Sequence, residues 1–395
     1  MNRFYIPEDE INRRINSLQT MLKANNLDGA LIAGRMNLFY LTGTIANAML
    51  FVEPEGEPKF FVKKSFQRAK LESPLKNIYP LKSVKDIAAS VGDCAGKRIG
   101  LEFMRVTLQV SSRISKQIKA DFQPIDSIMA YIRCKKSDYE LGLIRKAGEF
   151  QRNLHEDIIP GLIREGETEK ELAADIIKKM FDGQHDGICR MNAFEQEIPT
   201  PTVVAGRGGN CYTVFDGTPG GGWGICPASP FFGSPFIKIE KNSPIMVDIL
   251  YGYQGYKTDK STTYSIGALP KKMVDAHRFC INMRDYVASR LRPGEIPSSI
   301  YKDVLEKAAK AGYEKNFMGQ GESQVRFLGH GIGLATDEYP VLANRFDEPL
   351  EKSMVMAVEP KIVFDEGVVG LESTYLVNED RGEILNGQNG NIILI

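Results

Sequence analysis

Ser243-Pro244-Ile245-Met246-Val247-Asp248 carries an apolar run to the turn signal Gly252-Tyr253-Gln254-Gly255, and Tyr256-Lys257-Thr258-Asp259 leads away from it. Centring the hairpin on that turn sets Asp248 opposite Asp259. A second hairpin repeats the pattern. Glu359 ends Met354-Val355-Met356-Ala357-Val358, Asp365-Glu366 marks the turn, and Glu372 follows Val368-Val369-Gly370-Leu371 at the mirrored position. Like charges facing each other on a sheet are destabilising. Asp248 and Glu359 also interrupt apolar runs, where a buried carboxylate has to be paired or coordinated. Any one of these acids could be a salt-bridged edge residue. Two such pairs, with Gly329-His330-Gly331-Ile332-Gly333 between them, point to bound cations.

Working outward, the chain alternates between two kinds of pattern. Ile11, Ile15, Leu18 and Leu22 recur at helical spacing, and short apolar runs follow at Ala30–Ala33, Met49–Val52, Phe60–Val62 and Arg98–Leu101. This reads as a small α/β domain over residues 1–135. Residues 136–395 open with two capping boxes, Ser137-Asp138-Tyr139-Glu140 and Thr168-Glu169-Lys170-Glu171, each predicting a helix start. Strands and hairpins dominate beyond residue 200, with helices near 270–291 and 298–311. The expected class is α+β with an antiparallel sheet, and two helix-plus-hairpin blocks suggest weak internal duplication.

At 395 residues the chain exceeds what one compact core usually holds. Lys+Arg and Asp+Glu both number 50, so no basic excess argues for nucleic acid or an anionic membrane. No secretory leader or membrane-length apolar run is evident. Six scattered cysteines without a CxxC motif suit reduced thiols and a cytoplasmic setting.

With these residues in view, the chain resembles the creatinase/prolidase/methionine-aminopeptidase family. The stretches DGALIAGRMNLFYLTG (28–43) and SDYELGLIRKA (137–147) are similar to its signatures. The resemblance implies a pita-bread catalytic domain with a curved antiparallel sheet behind a creatinase-like N-terminal domain. It implies two divalent ions (manganese, with cobalt, iron or zinc as alternatives) held by Asp248, Asp259, His330, Glu359 and Glu372. Asp259 and Glu372 would bridge, Asp248 would complete one site, and His330 with Glu359 the other. A shared hydroxide would attack an amide carbon, with Glu359 as proton shuttle. The substrate would be a short peptide or small molecule, and the protein a homodimer whose N-terminal domain closes over the partner's site.

The chain also departs from that family. Histidines usual near the metals are replaced at Phe215 and Asp337, and a third position is Arg326. Gly370 stands where an Arg is common. Losing one transition-state donor costs roughly 10²–10³ in rate, so a non-peptidase hydrolase or lyase is the alternative reading. Arg326 could hold a substrate carboxylate, and Asp337 could act as acid or base. Trp223, on the glycine-rich stretch Asp216–Gly224, could cover the pocket with Phe215. His155, His185 and His277 are expected to be packing residues.

Overall fold

The computed structural model describes residues 5–193, 195–211 and 221–395. It divides into two compact units, Met1–Arg133 and Cys134–Ile395.

The first unit is a six-stranded mixed sheet flanked by helices. Its strands are β1 (Gly29–Ile32), β2 (Ala48–Val52), β3 (Lys59–Val62), β4 (Ile78–Pro80), β5 (Arg98–Leu101) and β6 (Asp121–Pro124). They lie in the order β4-β3-β2-β1-β5-β6. The helix Glu8–Ala24 buries Ile11, Ile15, Leu18 and Leu22, the stripe that its periodicity predicts.

The second unit opens with the helix Asp138–Asn153. Ser137 and Glu140 complete a reciprocal capping box at its start. Thr168 and Glu171 do the same for Glu169–Asp182. Strands β7 (Thr202–Ala205), β8 (Ile245–Tyr253) and β9 (Tyr256–Ser265) follow, then β10 (Phe327–Gly331), β11 (Glu338–Ala343), β12 (Val355–Val358), β13 (Lys361–Phe364), β14 (Gly367–Gly370), β15 (Ser373–Leu376), β16 (Glu383–Ile384) and β17 (Ile393–Leu394). They form a sheet β17-β9-β8-β7, a sheet β11-β10-β12-β15-β16 and the ribbon β13-β14. The helices Lys271–Arg290 and Pro297–Lys310 contribute Met273, Cys280, Val287, Ile300 and Val304 to one core with Met356, Val358, Ile362 and Val369. That core backs the second sheet and the ribbon.

The first hairpin differs from its expected register. Tyr253 pairs with Tyr256, so the loop is the two residues Gln254 and Gly255. Both have positive φ, 50° and 91°, as a tight twist-matched hairpin turn requires. Asp248 therefore lies opposite Ser261, and Asp259 opposite Leu250. The slip from the expected pairing is two residues, which keeps both aspartates on one face. The second hairpin pairs Phe364 with Gly367 across Asp365-Glu366, as its pattern predicts.

Gly255 also donates its N–H to Asp186 at 2.8 Å. A β-branched residue in its left-handed conformation should be strained. We expect Gly255→Val to destabilise the second unit by about 1–2 kcal/mol, measured as a lower denaturant midpoint at unchanged slope.

Candidate metal centre

Four carboxylates, one imidazole and one ammonium meet where the two sheets join. The β12/β15 ladder ends at Val358 opposite Ser373, and the β13/β14 ladder begins at Lys361 opposite Gly370. Glu359 and Glu372 sit across from each other in the break. Their backbones bond elsewhere: Glu359 N–H to Leu328 O on β10 (3.0 Å), and Glu372 N–H to Ser261 O on β9 (3.1 Å). These two bonds draw the hairpins together, so Asp248 on β8 and Asp259 on β9 face the same point as the two glutamates. His330, on β10, brings Nε2 to 3.7 Å from Glu359, and to 3.9 Å from both Asp259 and Glu372. All five residues are at least nine-tenths buried.

The sixth member is Lys361, which none of the sequence motifs singled out. Its Nζ is fully buried, 3.0 Å from Asp248 Oδ2, 3.0 Å from Glu359 Oε2 and 3.4 Å from Glu372 Oε2. Period-two alternation places it on the same face as Glu359, and a lysine inside Pro360-Lys361-Ile362-Val363 was the available signal. The residue opposite is Gly370, at φ 145°. A Cβ there would lie 2.6 Å from Lys361 Cα and 3.0 Å from its Cγ. Gly370, which stands where the resemblance makes an arginine common, thus faces the buried Lys361.

Electrostatics follow from burial. Removal from water raises the Glu359 carboxyl to about 7, with Lys361 opposing and Asp248 adding to the rise. Burial, then Glu359, pushes Glu372 up to about 8. Asp259 is driven well above the usual carboxylate range by burial, then by Glu372 and Asp248. Burial works against the Lys361 charge, but Asp248, Glu359 and Glu372 outweigh it and keep the ammonium charged. Unit charges about 4 Å apart are worth roughly 4 kcal/mol at an effective dielectric near 20. One ammonium cannot keep four such carboxylates ionised together, so Glu359, Glu372 and Asp259 are driven toward their protonated forms unless a further cation is bound.

Unsatisfied ligand atoms mark a place for such a cation. Asp259 Oδ1 and Glu372 Oε1 are buried without a hydrogen-bond partner among the described residues. Asp259, His330 and Glu372 each offer one ligand atom, and these atoms lie within 4.8 Å of one another. Oxygen and imidazole donors of this kind suit a first-row divalent ion. Asp248 and Glu359 each turn one oxygen to Lys361 at 3.0 Å, while Glu359 Oε1 lies 3.7 Å from His330 Nε2. Outer contacts fix the ligands: Ser261 Oγ donates to Glu372 Oε2 at 3.0 Å, and Thr374 Oγ1 accepts the Asp259 N–H at 2.8 Å.

The centre floors a cavity of about 210 Å³ lined by Met191, Ile198, Pro199, Leu250, Phe327 and Val341, with Thr336 and the carboxylates. Thr336 Oγ1 is buried and unpartnered among the described residues.

The remaining sequence candidates are distributed differently. Arg326 is exposed and lines a separate hollow with Tyr301, Glu314 and Glu322. It does not line the carboxylate-floored cavity, and the expectation of a substrate-binding arginine is corrected. Regular alternation would have given it the face of His330, but β10 shifts register between Phe327 and His330, and Phe327 takes that place. Asp337 borders the cavity, yet its oxygens accept the backbone N–H groups of Asn192 and Ala193. It is a loop clamp rather than a free acid. Trp223 is 66% exposed and does not line the cavity. Phe215 lies outside the described residues. His277 bonds Gly390 O and His155 bonds Tyr264, as packing residues do. His185 accepts from Gly252 N–H.

Removing one partner of a buried charge cluster costs about 3–5 kcal/mol. Lys361→Met should destabilise the chelator-treated protein by that amount, read by chemical denaturation. Saturating divalent ion should recover part of the loss.

Residues 142–379 match the model of metallopeptidase family M24, and residues 14–135 match the creatinase/prolidase N-terminal domain. An Xaa-Pro dipeptidase of Pyrococcus horikoshii is 23% identical over 94% of this chain and 96% of its own length. Among solved structures, an Xaa-Pro dipeptidase from Bacillus anthracis superposes with TM-score 0.81 at 20% identity, covering 98% of this chain and 100% of that one. The dipeptidase PepE from Mycobacterium ulcerans gives TM-score 0.82 at 19% identity over 99% of both chains. The structural likenesses show the shared pita-bread fold. The match over most of the second unit shows more: the chain belongs to metallopeptidase family M24, as a prolidase-like metallohydrolase with a creatinase-type N-terminal domain.

Proposed function

We propose that this chain hydrolyses a C–N bond in a short peptide or small amide, using a divalent ion held by Asp259, His330 and Glu372. The observation that carries this reading is the buried group of Asp259, His330 and Glu372, with an unpartnered oxygen on each carboxylate, on the floor of an apolar-walled cavity. Peptidase names among the relatives favour it over the lyase alternative. An ion bound there supplies Lewis acidity toward a carbonyl and lowers the pKa of a water; manganese is our choice of metal, with cobalt, iron and zinc suiting the same donors.

The chain's own groups do the rest. Lys361 holds Glu359 Oε2 at 3.0 Å, which leaves Oε1 facing His330 and the cavity. Glu359 is thereby oriented to take a proton from the attacking water and pass it to the leaving nitrogen. The walls of Met191, Ile198, Leu250, Phe327 and Val341 exclude water and receive apolar substituents. Thr336 Oγ1 is free to bond a substrate carbonyl or amide. No Lys or Arg lines this cavity among the described residues. A neutral substrate fits it better than one anchored by a free carboxylate.

Cytoplasmic residence fits six cysteines that are all free thiols. No helix among the described residues is long and apolar enough to cross a membrane. A homodimer is the assembly we expect, and sedimentation analysis checks it.

The reading is tested with metal-loaded protein on Xaa-Pro dipeptides, N-acyl amino acids and their neutral amides. We expect turnover, with neutral amides cleaved at least as well as free acids. Glu359→Gln should lower kcat by about 10²–10⁴ with a smaller change in KM. Lack of turnover on every substrate, with metal bound, would sink the hydrolase reading.

A further inference from the structure

We infer that the Lys361 ammonium permanently takes the place of one divalent ion, so that the centre binds a single metal, at Asp259, His330 and Glu372. The inference rests on the reading of the cluster as a metal centre but not on any substrate or turnover.

Three observations on separate residues converge. First, Nζ lies 3.0, 3.0 and 3.4 Å from oxygens of Asp248, Glu359 and Glu372. The two shorter distances are hydrogen-bond lengths for an ammonium, longer than the roughly 2.0–2.6 Å of hard divalent ions on oxygen. The same oxygens that would ligate a second ion are engaged by nitrogen, and an ion among them would lie in contact with Nζ. Second, the oxygens left over are not scattered. Asp259 Oδ1 and Glu372 Oε1 are both unpartnered among the described residues, and His330 Nε2 lies 3.9 Å from Asp259 Oδ2 and from Glu372 Oε1. Glu372 thus divides its oxygens: Oε2 takes Ser261 and Lys361, and Oε1 faces His330. It is shared between an organic cation and a candidate metal position, where the resembled family shares it between two metals. Third, the facing strand presents nothing to compete with the lysine. Gly370 lies opposite Lys361 across the β13/β14 ribbon, and a Cβ there would meet Pro360 O at 2.5 Å, Lys361 Cα at 2.6 Å and Lys361 Cγ at 3.0 Å.

The consequence is a centre with one exchangeable and one covalently tethered cation. An ammonium offers neither Lewis acidity nor a coordination vacancy, so it fixes Asp248 and Glu359 without activating anything itself. Lys361 is a positioning residue in this account.

The test is metal stoichiometry. Full-length protein is stripped with chelator, reloaded with Mn²⁺ and measured by elemental analysis and titration calorimetry, for wild type and Lys361→Ala. We expect one ion per chain in wild type, with the electron paramagnetic resonance pattern of an isolated Mn²⁺. Lys361→Ala should bind two, with a spin-coupled signal. Two tightly bound ions in wild type, or none, overturn the inference. So does a folded Lys361→Ala that binds no more than wild type. If the alanine variant does not fold, the wild-type count and the presence or absence of spin coupling decide alone. A single ion with no turnover on any substrate would leave this inference standing and remove the proposed activity.

Discussion

The buried ammonium of Lys361 is the constraint around which the second unit is organised. Three carboxylates converge on it, Asp248 from β8 and Glu359 and Glu372 from the break between the ladders, and each would otherwise repel the others. Desolvating an ion costs several kcal/mol even after relaxation, so the cluster persists only because every member is over-determined by the sheets behind it. Ser261, Thr374 and Asn386 bond the backbone or carboxyl groups of the ligands, and the helical core of Met273, Val287 and Ile300 backs the break between the ladders. The site is therefore stiff, and the position of its open, unsatisfied side is set by where the lysine is.

Much of this was legible in the residues. Apolar periodicity gave the helix Glu8–Ala24, and two capping boxes gave the starts of Asp138–Asn153 and Glu169–Asp182, because those signals are local. The second acid pair lay in register because Asp365-Glu366 closes its hairpin as the pattern implies. The first was out by two residues, because the turn formed where two successive residues could take positive φ. The face survived the slip, since side chains repeat every second residue. This is why carboxylate positions could be read more safely than their pairings.

What could not be read was set by irregularity and by long range. The register shifts within β10 reversed the places of Arg326 and Phe327, and nothing local in Gln324-Val325-Arg326-Phe327 announces them. Asp337 looked like a free acid because its partners, the backbone N–H groups of Asn192 and Ala193, lie far back in the chain. Lys361 was hidden by chemistry: motif reasoning sought ligands for cations, and a lysine among carboxylates is a cation already in place. All five residues that the resemblance offers as metal ligands meet at one point, yet such a set does not fix how many ions it holds.

Gly370 carries a consequence for how this chain can vary. The backbone around it closes on Pro360 and Lys361, so no side chain fits that position while the ribbon keeps its present path. An arginine there cannot be introduced by one codon change alone: it would set a side chain against the backbone of the facing strand, and the ribbon would have to be reshaped to receive it. Positions 361 and 370 should therefore change together or not at all, whatever the surrounding sequence does.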